Sequence, residues 1–423
     1  MILHLDLDCF FAAAHRIDNP CLNNIPIAVG GRSNLSIFDK NTQKRELSKI
    51  EGAFTSSILS TSDKNKTFKE YFQDEDGRVR GIITTSSYEA REYGVKTAMS
   101  VSEALRHCPT LKVIAPNYPL YHELSHKLKL LLQKVIPTIE QFSIDEFFGD
   151  VTGWIKDEDV YNFSLNLKQQ IFDELGLPIS IGIAKTKWIA KLATNDSKPY
   201  GVKLIPPSMV DEYINNKPVG EFCGIGKGYE QRLRNHGIKK LGDVKNEKEL
   251  FYSWGKFGVA LYHRILGSDT SILTFNKDPS KSIGLGRTFD PIEDRKEIKR
   301  RISILSRHLS FLAYKNDYNP TTFALNIKYQ YSNKAKDHIN TNRTFSELLL
   351  KHELNKLFDK IDNHPTHGVV QINITLSNFL QQNGQTFNLF TLEDDTKQSD
   401  LTSSMQKLRN KFGIDIIKSG GEL

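Results

Sequence analysis

The stretch Phe142-Ser143-Ile144-Asp145-Glu146-Phe147-Phe148 places two adjacent carboxylates between a Ser-Ile step and two aromatic residues. Neighbouring residues on a flat strand point to opposite faces, so Asp145 and Glu146 converge only at a bend or a hairpin tip. Two acids in apolar surroundings repel each other, and one takes up a proton unless a cation neutralises them. Hard divalent ions such as Mg²⁺ accept carboxylate oxygens in this way. An isolated Asp-Glu pair, however, is more typical of a solvated turn.

The N-terminus carries a second acidic site, in the sequence Met1-Ile2-Leu3-His4-Leu5-Asp6-Leu7-Asp8-Cys9-Phe10-Phe11. Its β-compatible apolar residues predict a buried strand over residues 2–11. Asp6 and Asp8 are two residues apart and therefore share one strand face. Charged residues inside such a strand are costly unless they are paired or bound to metal. An Asp-bearing strand with an Asp-Glu hairpin suits a two-metal phosphoryl-transfer site, whose ions lie about 3.5–4 Å apart.

These two motifs resemble a known family. Asp6-Leu7-Asp8-Cys9-Phe10-Phe11 and Ser143-Ile144-Asp145-Glu146 are similar to the catalytic motifs of Y-family lesion-bypass DNA polymerases of the bacterial polymerase IV type. Further matches follow in the family's order over residues 1–31 and 82–390. The resemblance implies an α+β right-hand polymerase with palm, fingers, helical thumb and a β-α-β-β-α-β little finger. It also implies that Asp6, Asp145, Glu146 and the Leu7 carbonyl hold two Mg²⁺ ions.

The amino-acid composition is compatible with this family but does not by itself identify it. The 423 residues suggest two to four domains, and 39% hydrophobic with 25% charged residues is typical of a soluble globular protein. The formal net charge of +7 is compatible with a polyanionic partner. Four scattered cysteines form neither a zinc spacing nor a disulfide framework, which favours a reducing cytoplasm. No apolar run is long enough to span a membrane, and no signal peptide is evident.

The expected domains follow from the order of the motifs. They are a palm over residues 1–204 with fingers inserted at about 12–115, a thumb over 205–270, a linker over 271–281, a little finger over 282–380 and a tail over 381–423. The segment 32–80 is polar and departs from the family's shorter connection. Its composition predicts a flexible surface insertion, with a short helix near 40–50 and no assigned function.

Hydrophobic periodicity predicts the main helices and strands. The expected helices cover residues 86–93, 99–107, 118–135, 160–175, 295–315, 347–361 and 402–412. The expected strands cover 178–184, 282–289, 321–330, 340–346 and 369–379.

The resemblance assigns five residues to the incoming dNTP. The aromatic ring of Phe11 is a steric gate against a ribose hydroxyl, and Phe10 beside it is either a second contact or a core residue. Tyr88 and Arg91 are three residues apart on one helix face and hold the triphosphate, for which a guanidinium is suited. Lys198, in Lys198-Pro199-Tyr200-Gly201, offsets charge during transfer. Lys191 is expected to have only a structural role near a helix C-terminus.

Contacts to DNA and to a sliding clamp are also implied. Gly224, Gly226 and Lys227 belong to a helix-hairpin-helix pattern, whose backbone N–H groups bind phosphate without sequence readout. Arg287 is the expected DNA contact of the little finger. The tail sequence Gln385-Thr386-Phe387-Asn388-Leu389-Phe390 resembles a clamp-binding peptide through Gln385, Phe387, Leu389 and Phe390, although its glutamine is displaced by one position.

The predicted protein is a monomeric, cytoplasmic DNA polymerase that binds primer-template DNA and dNTP. Two alternatives remain open from the sequence. One is a catalytically silent accessory protein that binds DNA and clamp, against which the retained Asp6, Asp145 and Glu146 argue. The other is a palm-fold nucleotidyl cyclase, which would need neither the thumb nor the little finger.

Overall fold

The computed structural model describes residues 1–39, 66–270, 272–274, 280–380 and 390–423. The chain divides into two compact units, Met1–Gly31 with Asp63–Lys277 and Arg32–Ser62 with Asp278–Leu423. Within the described ranges, no helix combines the length and the apolar character needed to cross a membrane.

The first unit opens with strand β1 (Ile2–Leu7), which is buried throughout, and helix α1 (Phe10–Asp18). The prediction of one strand over residues 2–11 is wrong beyond Leu7. Cys9 has a left-handed backbone with φ of 47°, which turns the chain directly into α1. The sequence of α1 contains three consecutive alanines, and alanine has the highest helix propensity of all residues.

The predicted fingers form a small three-stranded sheet with short helices. The elements are β2 (Ile27–Gly31), α2 (Phe68–Phe72), β3 (Ile82–Ser86), α3 (Tyr88–Glu92), α4 (Val101–His107) and β4 (Lys112–Ile114), and the sheet order is β3-β2-β4. Ser87 caps α3 by accepting a hydrogen bond from the Ala90 N–H. The helices expected at 86–93 and 99–107 are therefore confirmed with shorter bounds.

The predicted palm is a five-stranded sheet backed by long helices. Its further elements are α5 (Tyr118–Val135), β5 (Thr138–Gln141), β6 (Glu146–Asp150), α6 (Val160–Leu175), β7 (Ile179–Ala184), α7 (Lys187–Ser197) and β8 (Val202–Ile205). The sheet order is β5-β6-β1-β7-β8, with β1 antiparallel to both of its neighbours. The predicted bounds of α5 and α6 are confirmed, and strand β7 begins one residue later than expected.

Strand β1 presents different chemistry on its two faces. Leu3, Leu5 and Leu7 pack into the hydrophobic core with α5 and α6. His4 and Asp6 alternate with them and make their contacts with the α7 segment on the opposite face. Helix α7 can come this close because the position opposite His4 is Gly182, where a Cβ would lie 2.1 Å from the Ala190 carbonyl oxygen.

The predicted thumb is helical, with α8 (Val210–Asn215), α9 (Lys227–Asn235), α10 (Lys248–Tyr252) and α11 (Gly255–Ile265). The turn Val219–Glu221 precedes α9, and Gly224 in the loop between them has φ of 101°. L-residues avoid this backbone region, so a glycine is favoured there. The structure thus contains the hairpin followed by a helix that the Gly-Ile-Gly pattern predicts.

The second unit contains β9 (Ser282–Ile292), α12 (Arg295–Lys315), β10 (Pro320–Tyr329), β11 (Lys334–Asn340), α13 (Glu347–Ile361) and β12 (Val369–Phe379). Its β-α-β-β-α-β order is confirmed, with an antiparallel sheet ordered β11-β10-β12-β9. The predicted strand over 340–346 is wrong, because the strand ends where it was expected to begin. Polar side chains predominate in β11, and only Ala335 is buried, so no apolar alternation indicates the strand.

The tail extends the second unit. Helix α14 (Leu392–Phe412) begins ten residues before the predicted start at 402. A buried charge cluster attaches this region to α12 and α13. Its members, three cations and three anions, are Arg307, Lys351, Arg409, Glu347, Asp415 and Glu422.

The start of the predicted insertion also belongs to the second unit. Ile37 and Phe38 are buried in its hydrophobic core, and the Phe38 ring lies 4.4 Å from the Arg301 guanidinium. Arg300 Nη2 donates to the Phe38 carbonyl at 2.9 Å. We refer to residues 33–38 as the docked segment. The helix expected near 40–50 lies outside the described residues.

Candidate active site

The three predicted catalytic carboxylates come from two adjacent strands. Asp6 and Glu146 are directly opposite each other in the β1–β6 pairing, so their side chains share one face. Asp145 lies in the turn of the β5–β6 hairpin, where its carbonyl accepts a hydrogen bond from the Leu7 N–H at 3.0 Å. Asp145 and Glu146 therefore lie at the tip of a hairpin, as predicted.

Burial shapes the electrostatics of this group. Desolvation, opposed by Lys198 and reinforced by Glu146 and Asp145, raises the pKa of Asp6 to about 7. Burial also raises the pKa of Asp145, although a hydrogen bond from the Ser143 hydroxyl acts in the opposite direction. The charged forms of these acids therefore need a nearby cation.

In this structure the cations are lysines. Lys198 Nζ lies 2.7 Å from Asp6 Oδ1, and Lys191 Nζ is paired with Glu146 Oε1. Lys187 Nζ donates to both oxygens of Glu140, at 2.7 and 2.8 Å.

The expected role of Lys191 near a helix C-terminus is not what the structure shows, because Lys191 lies in the middle of α7 and faces the carboxylates. The spacing of Lys187, Lys191 and Thr194 places all three on one face of α7, and this spacing is the signal that could have identified Lys191.

His4 is a buried neighbour of the carboxylates. Its Nε2 lies 4.0 Å from Glu146 Oε1, and its Nδ1 lies 2.8 Å from the Thr194 hydroxyl. Burial, followed by the charge of Lys191, lowers the pKa of His4 well below its ordinary value. The imidazole is therefore neutral at physiological pH.

Asp8 does not share the environment of Asp6. It lies beyond the end of β1 and accepts three hydrogen bonds: from the Tyr88 hydroxyl at 3.1 Å, from the Ser180 hydroxyl at 2.8 Å and from the Tyr200 N–H at 2.7 Å. Asp8 therefore joins the end of β1 to α3, to β7 and to the loop after α7.

The adjacent aromatics Phe10 and Phe11 lie in different environments in the structure. Phe10 is 3% exposed and packs in the palm core, whereas Phe11 is partly exposed and stacks on Tyr121 at 4.1 Å with an interplanar angle of 12°. The core interpretation of Phe10 thus agrees with its burial. The assignment of Phe11 to the incoming dNTP stays a prediction.

Tyr88 and Arg91 share a face of α3, as predicted. The Arg91 guanidinium lies 4.8 Å from the centre of the Tyr88 ring, and its Nε donates to the Ser86 carbonyl at 3.1 Å. The Tyr88 hydroxyl donates a hydrogen bond to Asp8, and Lys198 Nζ donates one to Asp6. Both acceptors are carboxylates of the N-terminal motif.

The donor set fits hard divalent cations, which bind carboxylate oxygens in preference to nitrogen or sulfur. Asp6, Asp145 and Glu146 offer six such oxygens beside the end of β1. Over the described ranges, no three His, Cys, Asp or Glu side chains are arranged so that they could hold an ion. Asp6 and Glu146 are instead paired with Lys198 and Lys191.

Comparison with known proteins assigns the chain to a family. Residues 5–195 match the impB/mucB/samB family, and residues 280–389 match the C-terminal domain of the same family. DNA polymerase IV of Photorhabdus laumondii is 34% identical over 294 residues, which cover 68% of this chain and 70% of that protein. The chain belongs to the Y-family of DNA polymerases. DNA polymerase IV of Oceanobacillus iheyensis is 28% identical and covers 99% of the chain and 91% of its own length.

Solved structures agree with this assignment at the level of the fold. A chimeric Y-family DNA polymerase has a TM-score of 0.69 at 23% identity, covering 90% of this chain and 99% of its own. The Dbh DNA polymerase in an insertion ternary complex has a TM-score of 0.54 at 22% identity, with the same coverage. The polymerase is a DNA-directed enzyme of the low-fidelity, translesion type.

The predicted thumb contacts of the polymerase are exposed. Gly224 and Gly226 lie in the loop before α9, and Lys227 is the first residue of that helix. A Cβ at Gly226 would meet no atom within 4 Å, so the backbone there is open to a ligand.

Arg287 has a position that its sequence context did not indicate. It pairs with Ile372 across β9 and β12, and Ile372 belongs to the core under α12 and α13. Its guanidinium Nε donates to the Asn34 carbonyl of the docked segment at 3.0 Å. The assignment of Arg287 to DNA stays a prediction.

The predicted clamp peptide is described only at its last residue. Gln385, Phe387 and Leu389 lie outside the described residues, and Phe390 is 98% exposed just before α14. Clamp binding also stays a prediction.

Proposed function

We propose that the polymerase extends a primer 3′-hydroxyl with dNTPs, using Asp6, Asp145, Glu146 and the Leu7 carbonyl to hold two Mg²⁺ ions. The observation that supports this most directly is the cross-strand pairing of Asp6 with Glu146 beside the turn that carries Asp145. When bound, such ions neutralise the developing phosphate charge and activate the attacking hydroxyl.

The chain's own cations complete the site in this proposal. Lys198 Nζ is hydrogen-bonded to the Asp6 carboxylate as long as that carboxylate binds no metal ion. When Asp6 is engaged elsewhere, the ammonium becomes available to the triphosphate, where a point charge stabilises the transferring group. Arg91 supplies forked donors suited to phosphate oxygens, and Tyr88 exchanges its hydrogen bond to Asp8 for one to phosphate.

Sugar selection is assigned to Phe11. Its ring is fixed by stacking on Tyr121, which is itself hydrogen-bonded through its hydroxyl to His15 and to the Asn117 N–H. A ring supported in this way has little freedom to move, so it clashes with a ribose 2′-hydroxyl and excludes the ribonucleotide.

DNA contacts are proposed in both units. The exposed loop at Gly224 and Gly226 with Lys227 supports a phosphate contact without base readout. In the second unit, Lys328, Lys334 and Lys336 lie on the sheet face opposite the buried core residues, which supports an electrostatic DNA contact. A clamp contact through residues 385–390, a cytoplasmic location and a monomeric state complete the proposal.

The silent accessory protein is not favoured, because all three carboxylates are present beside one another. The test uses primer extension and primer-template binding in parallel. Asp145→Ala and Glu146→Ala should abolish extension and leave DNA affinity within about two-fold, since phosphate contacts elsewhere provide most of that affinity. Extension near the wild-type rate in either variant would refute the proposed mechanism.

A further inference from the structure

The ion pair between Lys191 and Glu146 lies inside the proposed metal site. Both side chains are largely shielded from water, at 15% and 19% exposure. Glu146 faces Asp6 on β1, His4 on the same strand and Lys191 on α7. An ammonium paired with Oε1 and a divalent cation bound to the same carboxylate repel each other, so the two cations compete for Glu146.

We propose that Lys191 is a positioning residue that holds Glu146 in the metal-free enzyme and gives it up when a divalent cation binds. This inference rests on the proposed function of Glu146. The pair prevents a buried, uncompensated carboxylate from repelling Asp6 and Asp145 before the metal arrives. It also makes metal binding weaker than the carboxylates alone would allow, because the incoming cation must displace an ammonium of like charge.

The displaced ammonium has an acceptor close by. The Thr194 hydroxyl has one proton, and two backbone carbonyls are placed to accept it, that of Ala190 at 3.0 Å and that of His4 at 3.2 Å. The hydroxyl oxygen therefore accepts from His4 Nδ1–H at 2.8 Å, which leaves a lone pair on His4 Nε2. This buried nitrogen has no hydrogen-bond partner among the described residues. We assign it as the acceptor for Lys191 in the metal-bound state.

Neighbouring lysines are not equivalent to Lys191. Lys187 is held by both oxygens of Glu140, and Glu140 also accepts from the Thr274 N–H at 3.0 Å. Lys198 pairs with Asp6 rather than Glu146. Lys191 is thus the described lysine whose pairing competes directly for Glu146.

The experiment measures metal affinity without DNA or dNTP. Full-length protein is titrated with Mn²⁺, and the free ion is counted by electron paramagnetic resonance. Lys191→Met should bind Mn²⁺ about ten-fold more tightly than wild type, since a hydrogen bond to a charged group no longer has to be broken. Lys191→Arg restores the pair and should return the affinity to within about two-fold of wild type. If Lys191→Met fails to fold, Lys191→Gln takes its place.

Loss of a positive charge could tighten metal binding from a distance, so the comparison is repeated in the Glu146→Gln background. The proposal requires that Lys191→Met have little effect there, because the amide leaves no ion pair to be broken, only a weaker hydrogen bond to a neutral oxygen. If Lys191→Met tightens Mn²⁺ binding equally in both backgrounds, or does not tighten it in the wild-type background, the proposal is overturned. Lys203→Met, which removes a lysine paired with Asp196, controls for overall charge and should leave the affinity unchanged.

The His4→Phe variant tests whether His4 Nε2 accepts a hydrogen bond from the displaced Lys191 ammonium. It should weaken Mn²⁺ binding by about five-fold when Lys191 is present and have no effect in Lys191→Met, since no ammonium then needs a partner. The same weakening in both backgrounds removes His4 from the scheme. If Glu146→Ala extends primers normally, the proposed function fails; if only the Mn²⁺ affinities fail to change, this inference alone is wrong.

Discussion

Replacing Glu422 by Gln should detach the C-terminal region from the second unit. The Glu422 side chain is fully buried and accepts from Arg307 Nε at 2.6 Å, from Lys351 Nζ at 2.5 Å and from the Ser419 hydroxyl at 2.8 Å. The amide keeps the shape and one acceptor oxygen but removes the negative charge. The three buried cations of the cluster, Arg307, Lys351 and Arg409, would then face only two anions, Glu347 and Asp415.

The expected loss in the free energy of unfolding follows from this excess of buried positive charge. Removing one partner of a buried ion pair generally costs 3–5 kcal/mol, and the retained amide oxygen places Glu422→Gln near about 3 kcal/mol. For a unit of this size, that loss corresponds to a fall in melting temperature of roughly 6–12 °C. A substitution of the same chemistry provides the control: Glu393→Gln removes an exposed partner of Lys397 and should cost no more than about 0.5 kcal/mol.

The assay is denaturant unfolding of full-length protein, followed through hydrogen exchange of α14 and of β10 separately. Glu422→Gln should increase exchange in α14 before β10 is affected, and Glu393→Gln should match wild type. A Glu422→Gln protein within 0.5 kcal/mol of wild type would show that the charge cluster does not hold the tail.

The same cluster makes the tail sensitive to acid. Although burial raises it, the charges of Arg307 and Lys351 lower the pKa of Glu422 below its ordinary value of 4.5, and Arg409 with Lys351 does the same for Glu347. A carboxylate with a lowered pKa stabilises the fold above its unfolded pKa, and this contribution is lost as the pH falls through the folded pKa. The α14 region should therefore loosen below about pH 4.5, and Glu422→Gln should reduce that dependence.

Three further predictions concern the active site and the tail. Phe11→Ala should reduce discrimination against NTPs by roughly 100-fold, and single-nucleotide extension with dNTP and NTP measures the ratio; unchanged discrimination would make Phe11 a packing residue. Lys198→Ala should lower kcat by about 100-fold through loss of a charge beside the triphosphate, with DNA affinity unchanged; an unaltered kcat would remove Lys198 from the reaction. Leu389→Ala with Phe390→Ala should abolish stimulation by a loaded sliding clamp while basal extension survives, and equal stimulation of both proteins would exclude the peptide as the tether.

The sequence predicted the features that depend on local periodicity. The bounds of α5, α6, α12 and α13 are confirmed, because each helix carries its own apolar stripe. The acidic hairpin was also predictable, since adjacent carboxylates converge only at a turn. Strand β11 was misplaced because its exposed face and its edge position leave little hydrophobic pattern.

Features that depend on distant pairing were not predictable in this way. Lys191 lies 45 residues from Glu146 along the chain, and only the sheet register with the packing of α7 brings them together. Arg287 lies 253 residues from Asn34, so no local pattern indicates that its guanidinium binds that carbonyl. The roles of these side chains follow from tertiary structure, which sequence motifs specify only when they belong to a recognised family.

The docked segment has a practical consequence for domain exchange. The chain passes from one unit to the other after Gly31, after Ser62 and after Lys277. A graft that replaces only the residues after Lys277 would leave Ile37 and Phe38 without the core in which they are buried. A functional transplant must therefore carry two separate pieces of polypeptide. By the same reasoning, a protein nicked after Lys277 should co-purify as a complementing pair of fragments, held together by Phe38 and its neighbours.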